Sequence, residues 1–429
     1  MSRSRLVAII MGLCVIGDSM LYVTLPPSFQ QLGLDATTTG LILSVNRFSR
    51  IAFNPLAAVI ILRLGYRKTA TLASCLAVVC TAGYAVASAA PVWLTLRVLW
   101  GFVWSLIRLV AFLVTLEECT QANKGQALGT MQRLVRIGST SATLGGGLLL
   151  DRIGFRNTSA LFGAITVLAV VLAISLKERP KSPSGGAAPA AEGLGGTAQS
   201  PRGQPDDRVI AQAAPLATLG QAIYKGLPVY ASALGVAIAV GGVFLSTVGV
   251  MLKARFGAAL AFSFMGIALG AGSVAGFMQS FRWLSDIVLS PFVGRLSDRM
   301  GRSVPMAAIL GVEFISGWVL LRSSSLPAVI AAGVVLFSAH SAILVVLSSA
   351  AADYGGAQGA ATPMTIYSTS VDMGDAVGPV VAYSLLGFGI DRSYAVGVSI
   401  VGLMALAWSM RVFWSRRGSG ASPSMRKAP

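Results

Sequence analysis

Long apolar segments dominate this chain, and they constrain its fold more than any motif does. Of its 429 residues, 55% are hydrophobic and only 11% are charged, whereas about 25% are charged in an ordinary soluble domain. The apolar residues form blocks of about 20, the length that an α-helix needs to cross a bilayer's hydrocarbon core. Membrane-spanning strands would instead alternate in polarity over about ten residues. The sequence therefore predicts an all-α membrane protein.

Twelve of these blocks are predicted to be transmembrane helices. Their approximate bounds are 6–26, 37–62, 70–90, 92–116, 127–149, 157–176, 226–252, 263–290, 303–321, 326–350, 360–386 and 394–414. No small-residue cleavage site follows the first block, so we expect a spanning helix there and not a signal peptide.

One polar segment divides the twelve predicted helices into six and six. It is rich in Pro, Gly, Ala and Ser and has almost no residues to bury, which is typical of a disordered linker. The predicted domains are a first six-helix bundle (1–176), this linker (177–225), a second six-helix bundle (226–414) and a basic tail (415–429).

Lys and Arg concentrate in the odd-numbered connections and at both termini. This bias predicts that both termini are cytoplasmic. The net charge of +17 is then explained by cytoplasmic loops facing anionic lipid, and no nucleic-acid partner is expected. The Gly- and Ala-rich composition and the lack of organelle signals favour a bacterial inner membrane, or an internal bacterial membrane.

A short pattern occurs twice, 236 residues apart. Pro55 and Gly65 in "NPLAAVIILRLGYRK" match Pro291 and Gly301 in "SPFVGRLSDRMGRS". The same offset aligns Glu117 with Asp353 and Gly138 with Gly374. Matches at several places indicate an internal duplication, and parallel six-helix repeats are typical of transporters.

The second copy resembles the signature G-x-L-x-D-R-x-G-R of the major facilitator superfamily, which lies after the second helix and again after the eighth. The matching residues are Gly294, Leu296, Asp298, Arg299, Gly301 and Arg302. The first copy departs from the signature, with Ala58 and Leu62 in place of its Gly and Asp. In that family the Asp helps to hold the cytoplasmic side closed. The resemblance therefore implies a conformational latch at Asp298 and the residues around it.

Two weaker family marks are also present. Arg97 and Gly101 resemble the R-x-x-x-G of the fourth helix. The antiporter pattern of the fifth helix lacks its Gly-Pro pair here, and Gly378 and Pro379 supply such a pair in the eleventh predicted helix. The resemblance covers nearly the whole chain and implies two pseudo-symmetric six-helix bundles that work by alternating access.

Ionisable residues inside the predicted helices point to function, because each costs about 2.5–3.5 kcal/mol at a helix centre unless it finds a partner or water. The repeat offset aligns Arg50 with Asp286 and Arg136 with Asp372. In the family the second helix packs on the eleventh and the fifth on the eighth, so we expect the pairs Arg50–Asp372 and Arg136–Asp286. These pairs would either change during gating or act as static struts. Arg47, Arg133 and Asp375 extend the two clusters by one helical turn.

Further candidates lie in other helices. Asp18 is predicted to be a lone carboxylate that carries the coupling proton, or else one bonded to hydroxyls or to an arginine of the fourth helix. On that helix Arg97 is predicted to be structural and Arg108 to contact an anion. Glu313 is predicted to be a packing residue. His340, the only histidine, is predicted to line the cavity at most, with no metal site.

The chain has no nucleotide-binding loop and no nucleophile spaced for catalysis, so neither an enzyme nor a cofactor is expected. We expect a monomeric secondary transporter, proton-coupled, with lipid, protons and a small solute as its partners. The arginines favour an anionic or zwitterionic solute, such as an organic acid or a metal chelate. The alternatives are a proton antiporter that exports drugs or metabolites, and a non-transporting scaffold or sensor.

Overall fold

The computed structural model describes residues 1–120, 123–177, 216–264, 267–354 and 361–420. The first four helices are α1 (Arg3–Ser28), α2 (Ala36–Val86), α3 (Ala90–Glu118) and α4 (Lys124–Ile174). They are followed by α5 (Leu216–Val236), a π-helix (Ala237–Phe244), α6 (Leu245–Phe256), the strands β1 (Ala259–Phe264) and β2 (Ile267–Gly270), α7 (Ala271–Val288), α8 (Ser290–Met300), α9 (Ser303–Arg322), α10 (Leu326–Asp353), α11 (Ala361–Leu386) and α12 (Ile390–Gly420).

Eight of the described helices are long and apolar enough to cross a membrane, which agrees with the predicted all-α membrane class. Two of them, α2 and α4, contain 51 residues each. At about 1.5 Å per residue each is more than twice as long as the bilayer core. Both are divided by a glycine with a positive φ, Gly65 at 77° and Gly154 at 76°, a conformation that glycine adopts without strain. Each therefore covers two predicted spans.

The predicted count of twelve spanning helices stays a prediction. The more polar helices α7 and α11 fall outside the eight. Residues 178–215 of the predicted linker lie outside the described residues, and α5 begins at Leu216, before the linker's predicted end. In the predicted tail, α12 extends to Gly420 and the residues after it are not described.

One predicted span starts in the wrong place. The eighth span was predicted from residue 263, but β1 and β2 form an antiparallel hairpin there and α7 begins only at Ala271. The hairpin register places Ala259 opposite Gly270. The apolar composition of this segment cannot separate a short hairpin from the first turns of a helix, because both can be uniformly apolar.

The sequence repeat recurs in the structure. Gly301 has a φ of 76°, nearly the same as Gly65. The Tyr66 hydroxyl donates to Glu117 at 2.5 Å, and the two positions 236 residues later are joined by Arg302 Nε and Asp353 Oδ2 at 2.7 Å. The same turn and the same tertiary contact are therefore built twice.

Buried apolar side chains of the described residues form two large clusters and one small one. One large cluster is drawn mainly from α1 to α4 and contains Trp93, Trp100 and Leu106. The other large cluster is drawn mainly from α5 to α12 and contains Phe337 and Tyr394. We call α1 to α4 the first group and α5 to α12, with the π-helix, the second group.

The two groups meet most closely at the end of the molecule where α1 ends, which we call the closed end. There Lys253 Nζ donates to the Pro27 carbonyl at 2.8 Å. A side chain at Gly147 would collide with the backbone of Gly272 and lie 3.3 Å from Gly276. Small residues thus allow α4 and α7 to approach closely.

Helices α2 and α11 also touch at the closed end. A side chain at Gly40 would lie 2.9 Å from the Pro379 carbonyl, and the rings of Phe29 and Tyr383 meet edge to face, 5.9 Å apart. We call the opposite end, which carries the N-terminus, the open end, because a cleft between the groups lies there.

Candidate functional site

A buried carboxylate lies between the two groups, midway along the helices. Asp375 of α11 is 3% exposed, and its Oδ2 accepts a hydrogen bond from Arg47 Nη1 of α2 at 2.5 Å. Arg282 Nη2 of α7 lies 3.9 Å from the same oxygen. These three side chains, which we call the central cluster, come from three helices and from both groups.

The predicted ion pair between Arg50 and Asp372 is not formed among the described residues. The Arg50 guanidinium lies over the Trp104 ring of α3 instead, 5.0 Å from its centroid. Because α2 and α11 touch at the closed end, the pair one turn nearer to that end, Arg47 with Asp375, forms in its place. Asp372 still interacts electrostatically with both Arg47 and Arg50.

The other predicted contact between the groups is present. Arg136 Nε of α4 lies 2.9 Å from Asp286 Oδ2 of α7. The Ser341 hydroxyl of α10 also donates to Asp286. The Arg136 guanidinium lies over the Trp283 ring at 4.5 Å. Whether this pair changes during gating or is a static strut remains a prediction.

A cleft of about 280 Å³ lies beside this second pair, toward the open end. Its walls come from α4 on one side and from α7 and α8 on the other, and they include Arg133, Arg136, Asp286 and Pro291. Arg133 is exposed. Arg108 of α3 lies one turn from Trp104, on the same helix face, and it has no ion pair within the described chain.

Asp18 of α1 is not a lone carboxylate, which corrects the expectation from the sequence. Arg97 Nη1 donates to Asp18 Oδ1 at 2.5 Å, and the Arg97 side chain is fully buried. Arg97 Nε also donates to the Ile42 carbonyl at 2.9 Å, and its guanidinium lies 5.6 Å from the Tyr22 ring centroid. The alternative, a carboxylate bonded to an arginine of the fourth predicted helix, is the arrangement found.

The π-helix passes directly beside the central cluster. A side chain at Gly241 would collide with the Asp375 carboxylate and lie 3.5 Å from His340 Nε2. A side chain at Gly242 would collide with Gly378 of α11. π-helical turns are rare and frequently occur at functional sites. Here two glycines within such a turn let α11 bring its carboxylate against the backbone.

His340 and Glu313 face each other inside the second group. His340 of α10 is 1% exposed and Glu313 of α9 is fully buried. His340 Nδ1 lies 3.7 Å from Glu313 Oε1. The burial of Glu313 agrees with its predicted packing role. However, a carboxyl group that serves packing is expected to be hydrogen-bonded, and neither oxygen of Glu313 has a hydrogen bond in the described chain.

The ion pairs that residues of the predicted latch make in the described chain all lie within the second group. Arg302 Nη1 lies 2.6 Å from Asp298 Oδ1, and Arg302 also binds Asp353. Gly301 forms the turn between α8 and α9. The remaining members are the exposed Arg299 and the half-buried Gly294. A role in holding the open end shut therefore remains a prediction, since this conformation has a cleft there.

At the closed end, a carboxylate of the first group caps a helix of the second. Asp151 of α4 accepts hydrogen bonds from the backbone N–H groups of Gly270 at 3.1 Å, Gly272 at 3.2 Å and Ser273 at 2.7 Å. The Ser273 hydroxyl adds a fourth bond at 2.5 Å. Free N–H groups and the helix dipole favour a negative charge at an N-terminus. This contact therefore joins α4 to α7.

Four residues of this arrangement were not among the sequence candidates. They are Trp104, Asp151, Arg282 and Trp283. Arg282 had a usable signal, because it lies inside an apolar block, four residues before Asp286 and on the same helix face. Asp151 had none, since it lies near a predicted loop where carboxylates are ordinary.

The middle of the molecule carries more positive than negative charge. Besides the ion pairs Arg97–Asp18 and Arg136–Asp286, the described charges around the central cluster are Arg47, Arg50, Arg282, Asp372 and Asp375. Aromatic rings flank the arginines, as guanidinium groups prefer. No group of metal-ligating side chains is present within the described residues. Such a site suits a small anion or a zwitterion.

Comparison with known proteins identifies the fold. The sequence profile of the Major Facilitator Superfamily matches residues 7–286. No curated protein matches the sequence. The nucleoside transporter NupG has a similar structure, with a TM-score of 0.73 at 12% identity over 96% of this chain and 99% of NupG.

A second similar structure is a bacterial homologue of the human lysosomal transporter Spinster, in an inward-facing and unoccupied conformation. Its TM-score is 0.71 at 16% identity, over 98% of each chain. The same homologue in its occupied conformation gives 0.72 at 14% identity, over 95% of each chain. At these identities the likeness concerns the fold and not the solute.

Proposed function

Because this chain belongs to the major facilitator superfamily, whose members are transporters, we propose that it moves a small anionic or zwitterionic solute by alternating access. The observation that carries this proposal is the central cluster and its surroundings. Arg282 is 3.9 Å from its carboxylate, and Arg50 has no ion pair within the described chain. The guanidinium groups of the buried Arg282 and of the half-buried Arg50 are thus left able to bind an anionic group.

A zwitterion fits the same place in a second way. Asp372, on the opposite side from Arg50, is also without an ion pair in the described residues. A solute carboxylate could pair with Arg50 and a solute ammonium group with Asp372, so that each residue would gain the ion pair that it lacks in the described chain. Because the two residues belong to different groups, such a solute would draw the groups together, which alternating access requires.

The closed end and the cleft define the conformation. With the N-terminus placed in the cytoplasm, as the loop charges predict, this conformation is open to the cytoplasm. We infer a bacterial inner membrane and a monomer. Outward opening must break the contacts at the closed end, and the Arg47–Asp375 and Arg136–Asp286 pairs lie where the groups would move. The unpaired charges argue against a non-transporting scaffold, which would have no use for them.

Proton coupling is part of this proposal, but Asp18 is a poor carrier. Protonating Asp18 would remove the counter-charge of the fully buried Arg97. Breaking a buried ion pair in this way costs about 3–5 kcal/mol. We therefore propose that Asp18 anchors Arg97 between α1 and α3, and that another group carries the proton.

The solute class can be tested by tryptophan fluorescence, because Trp104 lies against Arg50. Succinate, glutamate, inorganic phosphate and the lipophilic cation tetraphenylphosphonium are titrated into the full-length protein in lipid nanodiscs. We expect at least one of the first three to change the fluorescence in wild type and not in Trp104→Phe. Stronger binding of the cation than of all three anions would overturn the solute class.

Arg50→Gln is the decisive variant, and Arg411→Gln is its matched control. Arg411 also stacks on a tryptophan, Trp408, at 5.2 Å, but it lies on the exposed side of α12. Losing a hydrogen bond to a charged group costs about 1.5–3 kcal/mol, so Kd should rise about 10- to 100-fold in Arg50→Gln alone. Equal affinities in the two variants would contradict the proposal. Uptake of the binding probe into proteoliposomes then tests transport itself.

A further inference from the structure

We propose that Glu313 and His340 form the proton-binding site of this protein and that Asp375 connects this site to the solute. This inference rests on the transport function proposed above. It assigns a coupling role to two residues that a packing role does not explain. The site lies entirely within the second group, between α9, α10 and α11.

The first observation is deep burial without hydrogen-bond partners. Glu313 is fully buried and His340 is 1% exposed. Both carboxyl oxygens of Glu313 and both ring nitrogens of His340 lack a hydrogen bond within the described residues. Buried polar atoms are nearly always bonded, and each exception needs an explanation. A pair kept only for packing would be cheaper as apolar side chains of the same volume.

The second observation is that the pair is electrically neutral when it holds one proton. The proton can reside on the Glu313 carboxyl or on the His340 imidazole, whose Nδ1 lies 3.7 Å from Glu313 Oε1. A buried charge without a partner is very costly. The pair therefore retains one proton, and a small movement of α9 against α10 brings the two atoms within hydrogen-bond distance.

The third observation is the connection to the central cluster. Asp375 Oδ1 and His340 Nε2 both lie against Gly241 of the π-helix, and neither atom has a hydrogen bond in the described chain. The other oxygen of Asp375 is held by Arg47. Asp375 Oδ1 thus occupies the place that a side chain of Gly241 would take, and that place is 3.5 Å from His340 Nε2, so the carboxylate and the imidazole are neighbours.

The charges around the pair come from several helices. Arg282 of α7 and Arg47 of α2 act electrostatically on His340, and Asp375 of α11 borders the same glycine. Nearby on α7, Asp286 is bonded to Ser341 beside the histidine. The π-helix contains no titratable residue. Among the described residues, no charged group of α12 acts on Glu313.

These surroundings suggest how the proton responds to the solute. An anion that binds Arg282, one of the two guanidinium groups proposed above to hold the solute, takes this partner away from Asp375. Glu313 then gives its proton to His340 Nδ1, while the proton on His340 Nε2 passes to Asp375 Oδ1. The imidazole is neutral before and after, Asp375 becomes a neutral acid, and Glu313 is left as a carboxylate that regains a proton from water. One proton moves for one bound anion.

Infrared spectroscopy of the full-length protein in lipid tests the proton site without any solute. A protonated carboxyl group has a carbonyl stretching band that a carboxylate lacks. We expect this band at neutral pH in wild type and its loss in Glu313→Gln. It should persist in the matched control Asp391→Asn, which removes an exposed carboxylate. Glu313→Asp keeps a carboxyl group and should therefore retain the band at a shifted frequency. This variant shows whether loss of the band in Glu313→Gln results from the missing acid or from misfolding. Identical spectra for wild type and Glu313→Gln would overturn the proposal.

Transport in proteoliposomes tests the coupling, with succinate, glutamate and inorganic phosphate as probes. Wild type should accumulate a probe under an imposed pH gradient. Glu313→Gln should lose this accumulation but still exchange labelled for unlabelled probe, because exchange moves no net proton. Accumulation by Glu313→Gln equal to wild type would overturn the coupling role. If no probe moves in wild type, the proposed solute class fails, and the infrared result still decides whether the proton site exists.

Discussion

Removing the charge of Asp151 should open the closed end. Its carboxylate accepts four hydrogen bonds from the first turn of α7, at 2.5 to 3.2 Å, and it is the only part of α4 that caps a helix of the second group among the described residues. Asp151→Asn keeps the shape and one carbonyl oxygen but loses the charge. The amide nitrogen would face N–H groups, so the bonds to Oδ2 would be lost.

The size of the effect follows from these contacts. A hydrogen bond to a charged group is worth about 1.5–3 kcal/mol, against about 1 kcal/mol for a neutral one. A charge at a helix N-terminus adds about 0.3–1 kcal/mol. Asp151 is exposed, and solvent weakens both contributions. We therefore expect a net loss of about 1–2 kcal/mol, which shifts the ratio of open to closed molecules at this end about 5- to 30-fold.

Pulsed electron paramagnetic resonance measures this shift directly. Spin labels on cysteines introduced at the exposed positions Gln31 and Ser324 report the distance between the groups at the closed end, in a chain whose four native cysteines are replaced. Asp391→Asn is the matched control, because Asp391 binds Arg255 at the same end but within the second group. An unchanged distance distribution in Asp151→Asn, or an equal shift in the control, would refute the reasoning.

Three further changes test the contact between Arg136 and Asp286, the central cluster and the N-cap of α2. Reversing the charge of Arg136 or of Asp286 alone should lower the free energy of unfolding by about 0.2–1 kcal/mol, and exchanging the two charges should restore the melting temperature. A double variant less stable than both single variants would contradict the contact. Gly241→Ala should weaken succinate binding in the fluorescence titration, because its side chain would collide with Asp375; unchanged affinity would show that the contact is unimportant. Hydrogen bonds from Thr38 lower the pKa of Asp35, so the stability that this cap contributes is present above the usual carboxyl pKa and is lost as pH falls. The melting-temperature difference between wild type and Asp35→Ala should thus begin to shrink as pH falls below about 4 and should be smallest below the lowered pKa of Asp35, and a constant difference would exclude a role for the charge.

Several features could be predicted from local patterns. The repeat aligned Gly65 with Gly301, and both have nearly the same φ. The alignment of Glu117 with Asp353 gave two positions that make the same tertiary contact. Such features are predictable because backbone geometry and duplication act on neighbouring residues.

The pairing of charges was predictable only in part. Arg136 meets Asp286 as the repeat and the helix packing implied by the family resemblance predicted, but the symmetric partner Arg50 stacks on Trp104 and leaves Asp372 without an ion pair in the described chain. The family resemblance indicates which helices face each other. It does not fix how far apart two facing helices are at a given level, and α2 and α11 are in contact nearer to the closed end.

The sequence by itself determined that the chain spans a membrane, that it is helical and that its architecture is duplicated, because burial in lipid imposes segment length and apolarity residue by residue. Tertiary structure alone decided that Asp18 binds Arg97, that Asp375 lies between two arginines and that Glu313 faces His340. These contacts join residues far apart in the chain. The packing of helices within and between the two groups sets them, and that packing results from the sum of many weak contacts that no single stretch of sequence encodes.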